Sequence, residues 1–237
     1  MNKPRQRRMV AGLLMLCLAV FILITDGANY VPRDTQNEVS VDSIADSVLA
    51  LDALKGLEVK GRAPKTGYTR EQFGGGWGSD GICDVRNLIL IRDLRDVEVD
   101  DACNVVSGTL DDPYTGLRVV FLRGPQTSQL VQIDHVVALS DAWQKGAQAM
   151  SYVERVAFSN DPLNLLAVDG EANQQKGDGD AATWLPKNVS FRCQYVARQI
   201  AVKQKHSLWV TNAEQTAMEK VLGRCPNQAL PSIDMVH

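Results

Sequence analysis

The chain has 237 residues, 45% hydrophobic and 22% charged, with a formal net charge of −3. This is ordinary globular composition, with enough chain for one large or two small domains. The negative charge excludes a protein that binds polyanions through a large basic surface, so contact with a nucleic acid must be local, through a basic cleft or a metal ion.

Residues 1–28 have the layout of an export signal. A basic start is followed by an apolar stretch of about 17 residues, from Met9 to Thr25. We interpret it as a cleaved signal peptide, with an uncleaved N-terminal membrane anchor as the alternative. The expected location is therefore secreted or extracytoplasmic, with contact to a membrane only through this segment. Loss of residues 1–27 changes the formal net charge from −3 to −6.

Four cysteines follow the signal, an even number in an exported chain, which favours disulfides over free thiols. No pair has the C-x-x-C spacing of a zinc site. Three pairings are open, and we favour the two that are nearest in sequence, Cys83 with Cys103 and Cys193 with Cys225.

Residues 29–60 read as a polar tether and a possible helix, because apolar residues recur at helical spacing from Ile44 to Leu57. The next stretch, to Cys83, is rich in glycine and reads as a loop. Its run of Gly74, Gly75 and Gly76 matches no phosphate-binding fingerprint, so we interpret it as a flexible connection.

Short apolar runs follow from Leu88, and "SGTLDDPYTGLRVVFL" predicts two strands joined by a turn at residues 112–116. A further strand is expected over 130–139, then a helix capped by Ser140 and a second helix over 151–158.

A strand over 165–168, a turn at Asp169 and Gly170, and a helix over 171–176 come next. The C-terminal third is predicted helical over 191–206 and 211–225, with Thr211 and Glu214 as a capping box. These elements predict one α+β domain from about residue 60 onward.

Five polar residues lie on or beside the predicted strands over 130–139 and 165–168 and the predicted helix over 171–176. Asp134 and His135 are adjacent on the first strand, Asn164 precedes the second, and Asn173 and Lys176 share one helix face. Adjacent strand residues point apart, so one can face a metal and the other a nucleophile.

The residue types suit metal-dependent cleavage of a phosphodiester. Carboxylate and amide oxygens, here Asp134 and Asn173, are ligands for a hard cation such as Mg²⁺. His135 can take a proton from water near neutral pH. Asn164 is expected to fix the local backbone or orient His135, and Lys176 to contact phosphate.

These residues resemble the HNH motif, also called the ββα-metal or His-Me finger, with "DH", "N" and "N..K" on successive elements. More closely, residues 67–226 resemble secreted HNH endonucleases related to the C-terminal domain of GmrSD restriction enzymes. The segments that carry this resemblance include "CDVRNLILIRDL", "VQIDHVVALSDAWQKGA" and "NDPLNLLAVDGEANQQKGDGDAATWLP". The third motif residue is Asn rather than His, and the spacing between the two strands is long.

The resemblance implies a ββα-metal finger embedded in a mostly helical domain with a small β element, over residues 61–237. His135 would be the general base, Asp134 and Asn173 the metal ligands and Asn164 the supporting residue, with Arg86 close by. It implies Mg²⁺, Mn²⁺ or another divalent cation, no small-molecule cofactor, a monomer, and a nucleic acid substrate, with DNA favoured over RNA.

Two alternatives remain open from the sequence. One is a catalytically silent module that keeps the fold and binds nucleic acid or an adhesion partner. The other is a phosphodiesterase for small substrates, which the acidic net charge favours.

Overall fold

The computed structural model describes residues 48–231, which form an α+β fold of short sheets and helices. The predicted export signal and the start of the first predicted helix lie outside the described residues. The strands are β1 (Ser79–Asp80), β2 (Cys83–Asp84), β3 (Arg95–Val99), β4 (Val105–Asp111), β5 (Arg118–Leu122), β6 (Val131–His135) and β7 (Leu165–Asp169). The helices are α1 (Ala50–Lys55), α2 (Val85–Asp93), α3 (Leu139–Trp143), α4 (Tyr152–Ser159), α5 (Gly170–Lys176), α6 (Arg192–Lys205) and α7 (Asn212–Leu222). No helix in this range has both the length and the apolar character that a membrane crossing requires.

Strands β6 and β7 pair antiparallel, with His135 opposite Leu165 and Val131 opposite Asp169. The connection between them contains α3 and α4. Helix α5 follows β7 directly, because the Asp169 carboxylate accepts the Ala172 amide proton at 2.8 Å and caps the helix. Two antiparallel strands and a helix thus come together from residues 131–176.

Both faces of the β6–β7 pair are buried. Ile133 and Leu165 pack on one side in a core with α2 and the sheet of β3, β4 and β5. Leu166 and Val168 pack on the other side in a core with α6. Because successive strand residues alternate between these two cores, the pair is held from both sides.

The strand predicted over 130–139 is too long. It ends at His135, and α3 begins at Leu139. The Val136 amide donates to the Asn164 carbonyl at 2.8 Å, so a contact from distant sequence redirects the chain. Ser140 lies inside α3 instead of capping it, and its hydroxyl donates to Asp178 at 3.0 Å.

Residues 88–94, expected among short apolar runs, lie largely in helix α2. Asp84 caps this helix by accepting the Asn87 amide proton at 2.7 Å. The continuous run of apolar residues from Leu88 to Ile91 hides the helical spacing. The hairpin predicted around residues 112–116 is confirmed, with Asp111 of β4 opposite Arg118 of β5.

Both predicted disulfides are confirmed. Cys83 pairs with Cys103, with their Cα atoms 5.1 Å apart, and Cys193 pairs with Cys225 at 6.4 Å. The first joins β2 to the segment before β4, and the second joins the start of α6 to the end of α7. Each loop is of a length for which a bridge contributes about 3 kcal/mol.

A buried ionic network connects side chains from four segments of the chain. The Lys145 ammonium lies 2.7 Å from Asp141, 2.8 Å from Asp180 and 2.6 Å from Glu214. Lys203 lies 3.1 Å from Glu214. The network links α3, α6, α7 and the loop after α5, so these elements hold one arrangement.

Candidate active site

Asp134 and His135 point to opposite faces of β6. The Asp134 carboxylate lies against Tyr114 and Lys176, whereas the His135 ring lies against Trp77 and the Ser159 carbonyl. Their exposed fractions are only 5% and 8%. Both border one cavity of about 330 Å³. The alternation of the strand therefore gives two neighbouring residues different chemical environments at one place.

Both oxygens of Asp134 accept hydrogen bonds. Tyr114 donates its hydroxyl to Oδ2 at 2.5 Å, and the Lys176 ammonium donates to Oδ1 at 2.9 Å. Burial raises the pKa of Asp134 above its ordinary value, and the charge of Lys176 and the two hydrogen bonds oppose that rise. The carboxylate is thus held in one orientation by two fully buried side chains.

Lys176 does not reach outward as the sequence led us to expect. Its side chain is fully buried, and its ammonium also donates to the His135 carbonyl at 2.9 Å. It therefore links α5 to the end of β6 and fixes the backbone between Asp134 and His135. Direct contact of Lys176 with a phosphate is incompatible with this burial.

His135 is oriented by a backbone carbonyl. Its Nε2 lies 2.9 Å from the carbonyl oxygen of Ser159. Because a carbonyl oxygen only accepts, Nε2 must carry the proton. The neutral ring then has its lone pair on Nδ1, the nitrogen that a general base needs.

The environment keeps His135 neutral. Burial, with a smaller contribution from the charges of Arg70 and Lys176, lowers the pKa of its imidazole from 6.5 to about 4, and the hydrogen bond to Ser159 opposes that change. The Trp77 ring lies nearly parallel to it, at 9° and 5.9 Å between centroids. Near neutral pH the imidazole is therefore unprotonated at Nδ1.

Asn164 is completely buried and acts on the backbone, one of its two expected roles. Its Oδ1 accepts the Val137 amide proton at 2.8 Å, and its Nδ2 donates to the Val137 carbonyl at 3.2 Å. These bonds join the end of β6 to the start of β7 beside His135. The side chain bonds this backbone and not the imidazole.

Asn173 borders the same cavity as Asp134 and His135. Its Nδ2 donates to Oε1 of Gln132 at 2.9 Å, which leaves Oδ1 as its acceptor. Gln132 lies two positions before Asp134 and so shares its strand face. The structure thus brings together Asp134, His135 and Asn173.

Arg86 does not join this group. Its guanidinium donates to the carbonyl of Val131 at 3.4 Å and lies over the Phe121 ring. Val131 pairs with Asp169 at the opposite end of the β6–β7 pair from His135. Burial lowers the pKa of Arg86, and Arg123 lowers it further. Its position indicates packing against the sheet.

Two cavities open on His135. The carboxylate-side cavity, of about 330 Å³, contains Asp134, Asn173, Gln132 and Asp178 in its wall. The glycine-side cavity, of about 310 Å³, is bordered by residues 70–71 and 73–77, His135, Leu139 and Ser159. Arg70, His135 and Leu139 border both, so the imidazole lies where the two meet.

The family described as GmrSD restriction endonucleases, C-terminal domain, matches residues 84–221, more than half of the chain. The chain belongs to this family. An "Uncharacterized secreted protein" of Arthroderma benhamiae is 36% identical over 210 residues, which cover 88% of this chain and 98% of the relative. No solved structure matches the chain. The range matched to the GmrSD family contains β6, β7 and α5 complete.

Two side chains at the carboxylate-side cavity of this GmrSD family member carry oxygen atoms of the type that a divalent cation accepts. Within residues 48–231, no three His, Cys, Asp or Glu side chains cluster in the manner of a metal site. Asp134 and the Oδ1 of Asn173 instead supply two hard oxygen donors at one cavity. Mg²⁺ and Mn²⁺ accept such donors and fill their remaining positions with water or phosphate oxygens.

Several residues of this GmrSD family site were missed in the sequence. Tyr114 falls in the predicted turn after β4, and its hydroxyl gives no sign of bonding Asp134, 20 positions away. Gly74, Gly75 and Gly76, which the sequence predicts as a flexible connection, border the glycine-side cavity together with Trp77. Arg70 gave no signal at all, because it follows no motif.

Proposed function

We propose that this GmrSD family protein is an exported, metal-dependent endonuclease that hydrolyses phosphodiester bonds in DNA, with RNA as the alternative substrate. Membership of a family of restriction-endonuclease domains supports a nucleic acid substrate. The relative described as secreted supports export. The two disulfides agree with an oxidising compartment.

The hydrogen bond between the His135 ring and the Ser159 carbonyl is the observation that carries the proposal. The ring donates through Nε2 to the Ser159 carbonyl, which leaves Nδ1 as the basic nitrogen of a residue that borders the same cavity as Asp134 and Asn173. Such a base takes the proton of a water molecule as its oxygen attacks phosphorus. Departure of the 3′ oxygen then leaves 5′-phosphate and 3′-hydroxyl ends, which end-labelling of the products distinguishes from the reverse pattern.

Asp134 and Asn173 are the residues that would hold the divalent cation in this ββα-metal arrangement. A cation bound there supplies positive charge to the phosphate and to the leaving oxygen. Tyr114 and Lys176 hold the Asp134 carboxylate in place. Asn164 and the Ser159 carbonyl hold the strand end and the imidazole, so the chain itself orients every proposed reacting group.

The test compares the oxidised protein with its His135→Gln variant on supercoiled plasmid, with Mg²⁺ and with EDTA. The glutamine amide keeps a donor for Ser159 but has no basic nitrogen. His206→Gln is the matched control, because His206 bonds Asp161 and borders neither cavity. We expect the unchanged protein and the control to cut plasmid only with Mg²⁺, and His135→Gln to leave it intact.

A catalytically silent binding module is the second candidate. One observation favours it: both oxygens of Asp134 already accept hydrogen bonds, one of them from a buried ammonium. This candidate predicts that the folded protein retains plasmid on a gel without cutting it, with or without Mg²⁺. Cleavage of a small chromogenic phosphodiester but not of plasmid would instead indicate a small-substrate enzyme.

A further inference from the structure

Arg70 is the one cation that borders either cavity beside His135 within residues 48–231. It is exposed and makes no ion pair with another described residue. The nearby cations are already engaged: Lys65 pairs with Asp178 at 3.1 Å, and Lys176 pairs with Asp134 at 2.9 Å. A guanidinium left without a carboxylate beside a proposed hydrolytic base is suited to an incoming phosphate.

Gly75 and Gly76 border the glycine-side cavity without a structural need for glycine. Neither has a positive φ, and a Cβ added at either position meets no protein atom within 4 Å. Both are exposed. Glycine at such positions indicates a close approach of the backbone by a ligand, because a side chain would occupy the space that the ligand crosses.

The reacting group must enter a recess. Asp134 and His135 are 5% and 8% exposed, and the cavities on either side are about 330 and 310 Å³. A stiff duplex reaches such a recess only if it bends or unstacks, which costs several kcal/mol. A single strand bends freely and needs no such deformation.

On the basis of the proposed nuclease function, we propose that this site cuts a single-stranded nucleic acid faster than a duplex. The nucleic acid strand runs through both cavities. Its sugar-phosphate backbone crosses Gly75 and Gly76, and Arg70 binds one of its phosphates beside His135. The formal net charge of −6 after loss of residues 1–27 agrees, because the protein lacks the positive excess that would favour the denser charge of a duplex.

The first test uses one end-labelled oligonucleotide, alone and annealed to its complement, under equal protein and Mg²⁺ concentrations. We expect cleavage of the single strand to be at least about 100-fold faster, because each 1.4 kcal/mol of deformation in the duplex slows cleavage about tenfold. Equal or faster cleavage of the duplex overturns the inference but keeps the proposed function. Cleavage of neither form overturns both.

The second test makes the glycine-side cavity narrower. Gly76→Val and Gly75→Val each add a side chain to the glycine-side cavity, and Gly61→Val is the matched control. Gly61 is also exposed, lacks a positive φ and has open space at its Cβ, but borders neither cavity. We expect the midpoint of thermal unfolding to be unchanged in all three variants. Cleavage of the single strand should be lost only in Gly75→Val and Gly76→Val. Cleavage by Gly75→Val and Gly76→Val at the rate of Gly61→Val overturns the path across the glycines.

The third test concerns Arg70. Arg70→Gln removes one charge-assisted phosphate contact, so we expect KM for the single strand to rise about 10- to 100-fold with a smaller change in kcat. Arg70→Lys keeps the charge and should recover part of the loss. An unchanged KM in Arg70→Gln contradicts the phosphate contact.

Discussion

Acid should destabilise this protein through His135. The imidazole pKa is about 4 in the folded chain and about 6.5 in the unfolded chain. Between these values the unfolded chain binds more protons, so the free energy of unfolding falls as the pH falls from about 6.5 to 4. At 1.36 kcal/mol for each pKa unit, lowering the pH from 7 to 4.5 costs about 2.5 kcal/mol from this residue alone.

Urea unfolding followed by tryptophan fluorescence measures this loss in the presence of EDTA, so that no cation shifts the balance. The His135→Gln variant provides the reference, because glutamine keeps a donor for Ser159 and does not titrate. We expect the unchanged protein to lose about 2.5 kcal/mol more than His135→Gln between pH 7 and 4.5. Equal losses in the two proteins would refute a buried, neutral imidazole in the folded chain.

Three further predictions concern the same site. For cleavage, kcat/KM should stay level above about pH 5.5 and fall at lower pH. The midpoint of this fall should lie near pH 4, because that is the pKa of His135 in the free protein; a midpoint near pH 6.5 would contradict the depressed pKa. Tyr114→Phe should weaken Mn²⁺ binding about 10- to 100-fold in calorimetry, whereas Tyr195→Phe, equally buried but bonded to Gln199, should not; equal effects would argue against the Asp134 contact. Asn164→Ala should lower the free energy of unfolding by about 2–4 kcal/mol, because it leaves the Val137 amide and carbonyl buried without partners; a loss below about 0.5 kcal/mol in urea titrations would contradict this role.

The sequence predicted those features that local pattern controls. The alternation of a strand placed Asp134 and His135 on opposite faces, and the β6–β7–α5 series follows from short apolar runs with a turn at Asp169 and Gly170. The disulfide pairs followed from nearness in the chain, since short loops are the easiest to close.

Contacts between distant segments decided the rest. The sequence predicts Lys176 as an exposed helix residue. In the structure its ammonium is buried, because it donates to Asp134, 42 positions earlier. The Glu214 amide donates the predicted cap bond to the Thr211 hydroxyl oxygen, but the Glu214 carboxylate accepts from Lys145, 69 positions earlier, instead of completing a capping box. No spacing rule reports such pairs, because buried charges depend on which segments meet in the fold.

The most direct test of His135 as the base is chemical rescue in single-turnover cleavage. His135→Ala removes the ring and leaves space at the junction of the two cavities, so added imidazole can take its place. We expect His135→Ala to be folded and about 10²- to 10⁴-fold slower than the unchanged protein, with imidazole restoring part of the rate. Cleavage by folded His135→Ala at the unchanged rate, with no response to imidazole, would contradict the account.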